Sequence, residues 1–306
     1  MQNSMATSAP SVGVPDELQL GQFIPLHYHY NMLLDADRVG AFQAAIEQIV
    51  KPGMHVLELG AGTGVLSSFA LRRGAQVTCV ERNPVLASKT EELLAANGLS
   101  AQATVVTADA CDFIPQRPVD VVICEMLHVA MLREKQLQVI DAFKRNYRAA
   151  FGSSVKLSSF IPEASILMWQ PIRQSFDFAG YWAPVPMFQV PRQEDPRTCE
   201  IGPLDPYASI SYESEFPLRF ECDQLIEAAI DGEINAVRFI TQNVLAIDMT
   251  KQTATTWPNQ CLILPLDEPI DVTAGQRLRL RFAYQAGASL EDLAAALRFD
   301  VFPPAT

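Results

Sequence analysis

The stretch Met54-His55-Val56-Leu57-Glu58-Leu59-Gly60-Ala61-Gly62-Thr63-Gly64 decides how the rest of the chain is read. Its first six residues form a short apolar strand. The three alternating glycines that follow permit a tight turn and a close approach of ligand to backbone. A helical pattern then runs to Arg73, with Gly74 just beyond its end. Upstream, a helical entry begins near Gln22. Within it, residues 35–50 repeat Val39, Phe42, Ile46 and Ile49 at helical spacing until Lys51-Pro52-Gly53 stops them. Downstream, a strand over 76–80 closes on Glu81. Asn83 is placed as a helix N-cap with Pro84 at the first helical position, and Gly98 ends that helix. A strand over 104–108 ends on Asp109, and another over 119–124 ends on Glu125. The next helix runs to about residue 150, with Leu137, Ile140, Phe143 and Tyr147 on one side. Strands alternating with helices in this way predict a doubly wound parallel sheet covered on both faces. In such sheets ligands bind beyond the carboxyl ends of the strands, where Glu58 with Gly60, Glu81, Asp109 and Glu125 fall in succession.

After Ile161-Pro162 the texture changes. Residues 164–172, 210–220, 233–249, 261–264 and 277–284 read as strands separated by Pro- and Gly-rich turns, with no strong helical period. In the last of these, Leu278, Leu280, Phe282 and Tyr284 alternate with Arg277, Arg279 and Arg281, the pattern of a half-buried antiparallel strand. The expected organisation is a tail over 1–15, an α/β domain over 16–162 and an antiparallel, β-barrel-like domain over 163–306. Residues 173–206, dense in Pro and aromatics, form a long connection.

The 306 residues suit two domains of ordinary size, and 49 % hydrophobic against 19 % charged residues supplies a large core. The net charge of −12 argues against a partner gripped by its phosphates, so no nucleic acid is expected. The six cysteines form no CxxC pair, and the four histidines do not share a ligand-like face with carboxylates. No metal is therefore expected, and a reducing, cytoplasmic setting is. The first residues carry neither a basic start nor a long apolar stretch. The longest apolar run, near 119–132, is broken by Glu125 and His128, so no membrane association is expected.

Glycines at 60, 62 and 64, with Val at 65, depart from the GxGxxG spacing of dinucleotide enzymes, although a dehydrogenase competes on the fold alone. With Glu58 two residues upstream, this GxGxG loop resembles that of S-adenosylmethionine-binding methyltransferases. S-adenosylmethionine carries no phosphate, so the loop has to leave room for its sugar and methionine parts. Glu81 suits the two ribose hydroxyls as a bidentate acceptor, and Asp109, followed by Ala110, suits the adenine amino group. A methyl on a sulfonium is attacked in line, so the protein's task is chiefly positioning.

The resemblance sharpens at Glu125 and Glu134, nine residues apart. The pair is similar to the double-glutamate loop of the protein arginine methyltransferases. His29-Tyr30-Asn31-Met32-Leu33-Leu34-Asp35 with Arg38 looks like that family's Met-Leu-x-Asp-x-x-Arg segment, and Phe160-Ile161-Pro162 like its junction into a β-barrel. Thr255-Thr256-Trp257, followed by Leu264-Pro265 and Gly275, resembles its Thr-His-Trp loop and the strands after it. The resemblance implies that Glu125 and Glu134 bind and turn a guanidinium, whose planar fork matches carboxylates bidentately. It further implies that Arg38 clamps the cofactor carboxylate, that Met32 lies near the methyl, that Trp257 lies on the substrate side, and that the chain is a head-to-tail homodimer. Thr256 stands where the family has His, and His128 where Gly is usual in the loop. A small molecule bearing a guanidine or an amine would satisfy the same glutamates. A non-catalytic S-adenosylmethionine-binding partner is the remaining alternative.

Overall fold

Two helices lead into the sheet in the computed structural model, which describes residues 26–191 and 195–303. The expected tail over 1–15 and the start of the helical entry at Gln22 lie outside the described residues. Helices α1 (Leu26–Leu34) and α2 (Ala36–Ile49) meet at Asp35, whose side chain caps α2 by accepting from Arg38 N at 2.9 Å. Then follow β1 (His55–Leu59), α3 (Val65–Arg72), β2 (Gln76–Glu81), α4 (Pro84–Ala96), β3 (Ala103–Thr107), β4 (Val121–Cys124), α5 (Gln136–Phe151) and β5 (Ser159–Ile161). These five strands pair only in parallel, in the order β3-β2-β1-β4-β5. The central strands are apolar runs because helices cover both faces: Val56, Leu57, Leu59, Val121, Val122 and Ile123 are fully buried.

The glycine turn is built where β1 leaves the sheet. Gly60 N and Ala61 N both donate to Val80 O at 2.9 Å, which ties the turn to β2. Gly60, Gly62 and Gly64 have φ of +78°, +57° and +75°, the left-handed region that side chains resist. At Gly64, which caps α3, a Cβ would also lie 2.8 Å from Thr90 Cγ2 of α4. Glu58, one residue from the end of β1, is buried beneath this turn and accepts hydrogen bonds from Ser67 N at 2.9 Å and from Ser67 Oγ.

The second half opens with β6 (Ala164–Gln174), then β7 (Asp177–Phe178), β8 (Tyr181–Trp182), β9 (Met187–Gln189), β10 (Thr198–Glu200), β11 (Asp205–Ser211) and β12 (Arg219–Glu227). It continues through β13 (Gly232–Asp248), β14 (Thr253–Pro258), β15 (Cys261–Val272), β16 (Arg277–Gln285), α6 (Leu290–Ala296) and β17 (Arg298–Phe302). One antiparallel sheet runs β10-β6-β13-β15-β9, with β11 on β6 and β14 on β13; a second runs β12-β16-β17. Their apolar faces meet: Trp169 lies edge-on to Phe299 at 6.1 Å, and Phe239 to Phe282 at 5.5 Å. Strand β16 alternates as its sequence predicts, with Leu278, Leu280, Phe282 and Tyr284 buried, Arg279 paired with Asp223 and Arg281 with Asp300.

Three features differ from the sequence expectation. The single strand expected over 210–220 is two, β11 and β12. The chain turns between them at Tyr212–Leu218, where Pro217 has no N–H for a ladder and Ser214 N closes on Ser211 O at 3.1 Å. Helix α6 interrupts the all-β half. It is only seven residues long, too short to show a period, but it starts with a capping box formed by Ser289 and Asp292. The long connection over 173–206 contains the β7–β8 hairpin, β9 and β10.

Gly64→Ala is expected to cost about 1–3 kcal/mol in urea unfolding, because left-handed strain adds to the collision with Thr90. Gly53→Ala has the same strain but open space around it, and should cost only about 1 kcal/mol. Burial pushes the Glu58 carboxyl up to about 8 from an ordinary 4.5, against the hydrogen bonds from Ser67 and the charge of Arg38. The folded state therefore holds a proton that the unfolded chain releases. Stability from this group is complete below 4.5 and is lost as pH rises through 8. Glu58→Gln should flatten the fall in melting temperature across that window. An unchanged pH dependence would show Glu58 ionised throughout.

Candidate functional site

A cleft opens at the carboxyl ends of β1, β2, β3 and β4, with α1 and α2 as its far wall. Met32, Arg38, Glu58, Gly60, Gly62, Glu81, Asp109, Ala110, Glu125 and Glu134 all line it. The structure thus brings ten of the sequence-predicted residues to one place. Gly64 lies behind the turn, against Thr90 and Leu94.

At the β2 end the Glu81 carboxylate is fixed on both oxygens. Oε2 accepts from Gly62 N at 3.0 Å and Oε1 from Asn83 N at 2.9 Å, which leaves further lone pairs for a vicinal diol. At the β3 end Asp109 Oδ1 accepts from Cys111 N at 2.9 Å, and Arg82 Nε lies 3.7 Å from Oδ2. The buried His29 of α1 covers the glycine turn. A Cβ on Gly62 would stand 3.1 Å from His29 Cε1. Sequence reasoning did not place His29 in the cleft; its spacing to Met32 on the same helix face was the available signal.

The glutamate pair sits at the other end. Glu125 and Arg38 form a buried ion pair, their side chains 7 % and 8 % exposed. Arg38 Nη1 also donates to Met32 O at 3.3 Å, and its guanidinium lies 5.9 Å from the centre of the Phe42 ring. The sequence resemblance assigns Arg38 to a cofactor carboxylate; here the guanidinium is on Glu125. Glu134 does not open a helix: α5 starts two residues later, at Gln136. Burial, reinforced by the neighbouring charge of Glu125 and partly offset by Arg133, pushes the Glu134 carboxyl up to about 7.

Between the two glutamates the backbone is strained. Ala130, Met131 and Arg133 have φ of 56°, 53° and 60°, each a left-handed conformation without glycine. The β-domain holds this loop from behind. Ala130 N donates to Thr241 Oγ1 at 2.7 Å and Tyr284 OH donates to Ala130 O at 2.8 Å. Gly287 N donates to Met131 O at 2.7 Å, and Arg133 N to Ala288 O at 2.9 Å. Thr241 and Tyr284 had no sequence signal, since their partners are backbone atoms more than a hundred residues away.

Trp257 is not brought into this cleft. It is 8 % exposed, packs 6.1 Å from the Phe42 ring, and lies under a second cleft with Asn31, Asp35, Thr256 and Gln260. His128 is turned away as well: its ring meets Phe188 edge-on at 5.7 Å, and desolvation takes it down to about 4, so it is neutral at pH 7. Among the described residues no group of three His, Cys, Asp or Glu is placed to hold a metal ion, and no helix is long and apolar enough to cross a membrane.

The donor set fits a sulfonium nucleoside. Glycines at 60 and 62 leave the turn without side chains on the cleft side, and the fixed carboxylate of Glu81 offers acceptors where a phosphate would be repelled. Residues 56–149 match the model of a methyltransferase domain. The arginine N(omega)-methyltransferase of Streptomyces achromogenes subsp. streptozoticus is 25 % identical over 280 residues, covering 84 % of this chain and 76 % of its own. Among solved structures, protein arginine methyltransferase 10 of Arabidopsis thaliana aligns with a TM-score of 0.71 at 16 % identity, over 92 % of this chain and 97 % of its own. The Trypanosoma brucei PRMT1 enzyme–prozyme heterotetrameric complex with AdoHcy aligns with a TM-score of 0.67 at 17 % identity, over 90 % of this chain and 98 % of its own. With its methyltransferase domain and this cleft, the chain is an S-adenosylmethionine-dependent methyltransferase built on the fold of the protein arginine methyltransferases.

Proposed function

We propose that this enzyme methylates a terminal nitrogen of a guanidinium group, held between Glu125 and Glu134 at the inner end of the cleft. The observation that carries the reading is the pair of carboxylates on one strained loop, Glu125 with its side chain buried and Glu134 half-buried, facing the same cleft as the glycine turn. A guanidinium stays charged at any working pH, so its natural partner in a buried site is a carboxylate with matching geometry. S-adenosylmethionine, when bound, supplies a methyl group made electrophilic by its sulfonium. Glu81 and Asp109 hold the nucleoside end, and the glycine turn lets it approach the backbone. Glu125, steadied by Arg38, grips one edge of the acceptor fork and draws positive charge away from the nitrogen to be methylated. Glu134 grips the other edge. Its elevated proton affinity suits it to take the proton that the nitrogen sheds after transfer.

A second reading, a free arginine or another small guanidine as acceptor, is favoured by the Streptomyces relative, whose name specifies arginine and whose match spans most of this chain. The exposed Phe178, Tyr181 and Trp182 of the β7–β8 hairpin support a homodimer built through that hairpin.

Incubation with methyl-labelled S-adenosylmethionine, using an Arg–Gly-rich peptide and free L-arginine in separate reactions, tests the reading. Methyl groups found by mass spectrometry on a guanidino nitrogen are the expected result, and the reaction that takes label names the acceptor class. Label in neither reaction overturns the proposal. Glu134→Gln is expected to lower kcat/KM by about 100-fold or more, with cofactor affinity changed by less than about two-fold. In the parent enzyme kcat/KM should rise with pH through about 7 as Glu134 ionises, and the variant should lose that limb. Replacing Tyr181 and Trp182 together by Ala should yield a monomer by light scattering, whereas an unchanged mass would place the dimer contact elsewhere.

A further inference from the structure

Gln136 and a file of four further buried polar side chains hold the loop behind Glu125 from two sides. Gln136, on the first turn of α5 and 1 % exposed, brackets the strand end with one amide. Its Nε2 donates to Cys124 O at 2.7 Å, and its Oε1 accepts from Met126 N at 2.9 Å, so both neighbours of Glu125 are tied to it. Tyr212 OH lies 2.8 Å from Ser165 Oγ, and Ser165 Oγ donates to Asn243 Oδ1 at 2.7 Å. Asn243 Nδ2 donates to Asn259 Oδ1 at 2.9 Å, and Asn259 Nδ2 donates to Leu127 O at 3.1 Å. The file from Tyr212 thus ends on the loop two residues after Glu125.

The direction of the donors is fixed. Ser165 has one hydroxyl hydrogen, and it is on Asn243. Tyr212 therefore donates to Ser165. Tyr212, Ser165 and Asn243 are fully buried, and Asn259 is 6 % exposed. Apolar residues of the same size would fill this space without any desolvation cost. What the polar file adds is orientation. Apolar packing does not hold a particular carbonyl and a particular N–H to hydrogen-bond geometry, whereas a satisfied buried network does.

We infer that Gln136 on one side, and Tyr212, Ser165, Asn243 and Asn259 on the other, form a positioning device for the Glu125 carboxylate, with Gln136 holding the backbone of both its neighbours. Ser165 of β6, Asn243 of β13 and Asn259, between β14 and β15, carry the β-domain's hold through to the strand end of the α/β domain. They touch neither cofactor nor acceptor. They act by fixing the backbone on both sides of a residue whose displacement by an ångström would cost a large part of the rate.

The kinetic arm of the test rests on the guanidinium reading above; the exchange arm does not. Gln136→Met keeps the length and removes the polar atoms. With methyl-labelled S-adenosylmethionine and whichever of the Arg–Gly-rich peptide or free L-arginine is accepted, it is expected to lower kcat by roughly 10–100-fold while KM and cofactor affinity move by less than about two-fold. Added to Glu125→Gln it should bring no further loss, since it acts through Glu125. Multiplicative losses, or an equal loss of cofactor affinity, would overturn the inference. Hydrogen–deuterium exchange over residues 124–128 should quicken about ten-fold or more in Gln136→Met and in Asn243→Leu, with α3 unchanged. Parent-like exchange there in both variants would overturn it even if the parent enzyme accepts neither acceptor, an outcome that by itself would remove only the guanidinium reading.

Discussion

A carboxylate that is to grip a guanidinium must be buried and ionised at once, and burial opposes ionisation. The cleft treats three of its four glutamates differently on this account. Glu125 is given a permanent counter-ion in Arg38, whose own position is set by the α1–α2 junction and the Phe42 ring. Glu134 lacks such a partner at full strength and holds its proton up to about 7. Glu58, deeper still, serves the turn and not the acceptor, and holds its proton to about 8. Proton affinity thus rises from Glu134 to the more deeply buried Glu58, and burial is the main cause at both. Helices α1 and α2 line the cleft and bring Arg38 to Glu125, so these two helices belong to the site.

The second constraint is backbone strain. Three left-handed residues without glycine between Glu125 and Glu134 cost on the order of 1 kcal/mol each. An isolated α/β domain has nothing on that side to hold them. Thr241, Tyr284 and the backbone at Gly287 and Ala288 supply four hydrogen bonds to the loop from the antiparallel sheets. The β-domain is therefore a structural part of the glutamate pair as well as a wall of the molecule. Buried contacts such as Asn259 to Leu127 O make the two halves one mechanical unit at the point where the acceptor head would sit.

Much of this was legible in the sequence, for local reasons. The glycine spacing, Asn83 with Pro84, the polar strand ends and the alternation in β16 are each written within a few residues, and each lies where its pattern requires. What was not legible is what depends on distant partners. Nothing near Gln136 marks it as a bracket for Cys124 and Met126, and Thr241 reads as an ordinary strand threonine. The turn between β11 and β12 was hidden because its flanks share one apolar texture. Trp257, placed by resemblance on the substrate side, is drawn under the second cleft by Phe42, a contact between segments more than two hundred residues apart.

The glutamate pair also limits what the site itself can discriminate. In the proposed function two carboxylates see a guanidinium head, and that head is the same on a free amino acid as on a peptide. Selection between them has to come from residues met after the head is seated, at distances where the chain attached to it begins. Thr256 and a neutral His128 stand where the protein arginine methyltransferases have a histidine and a glycine, and neither position carries a fixed charge. An overall charge of −12 favours the approach of any cationic acceptor and adds no preference between a small one and a large one. Affinity for the head and choice of its bearer are thus separate properties in this fold, set by different residues and open to separate change.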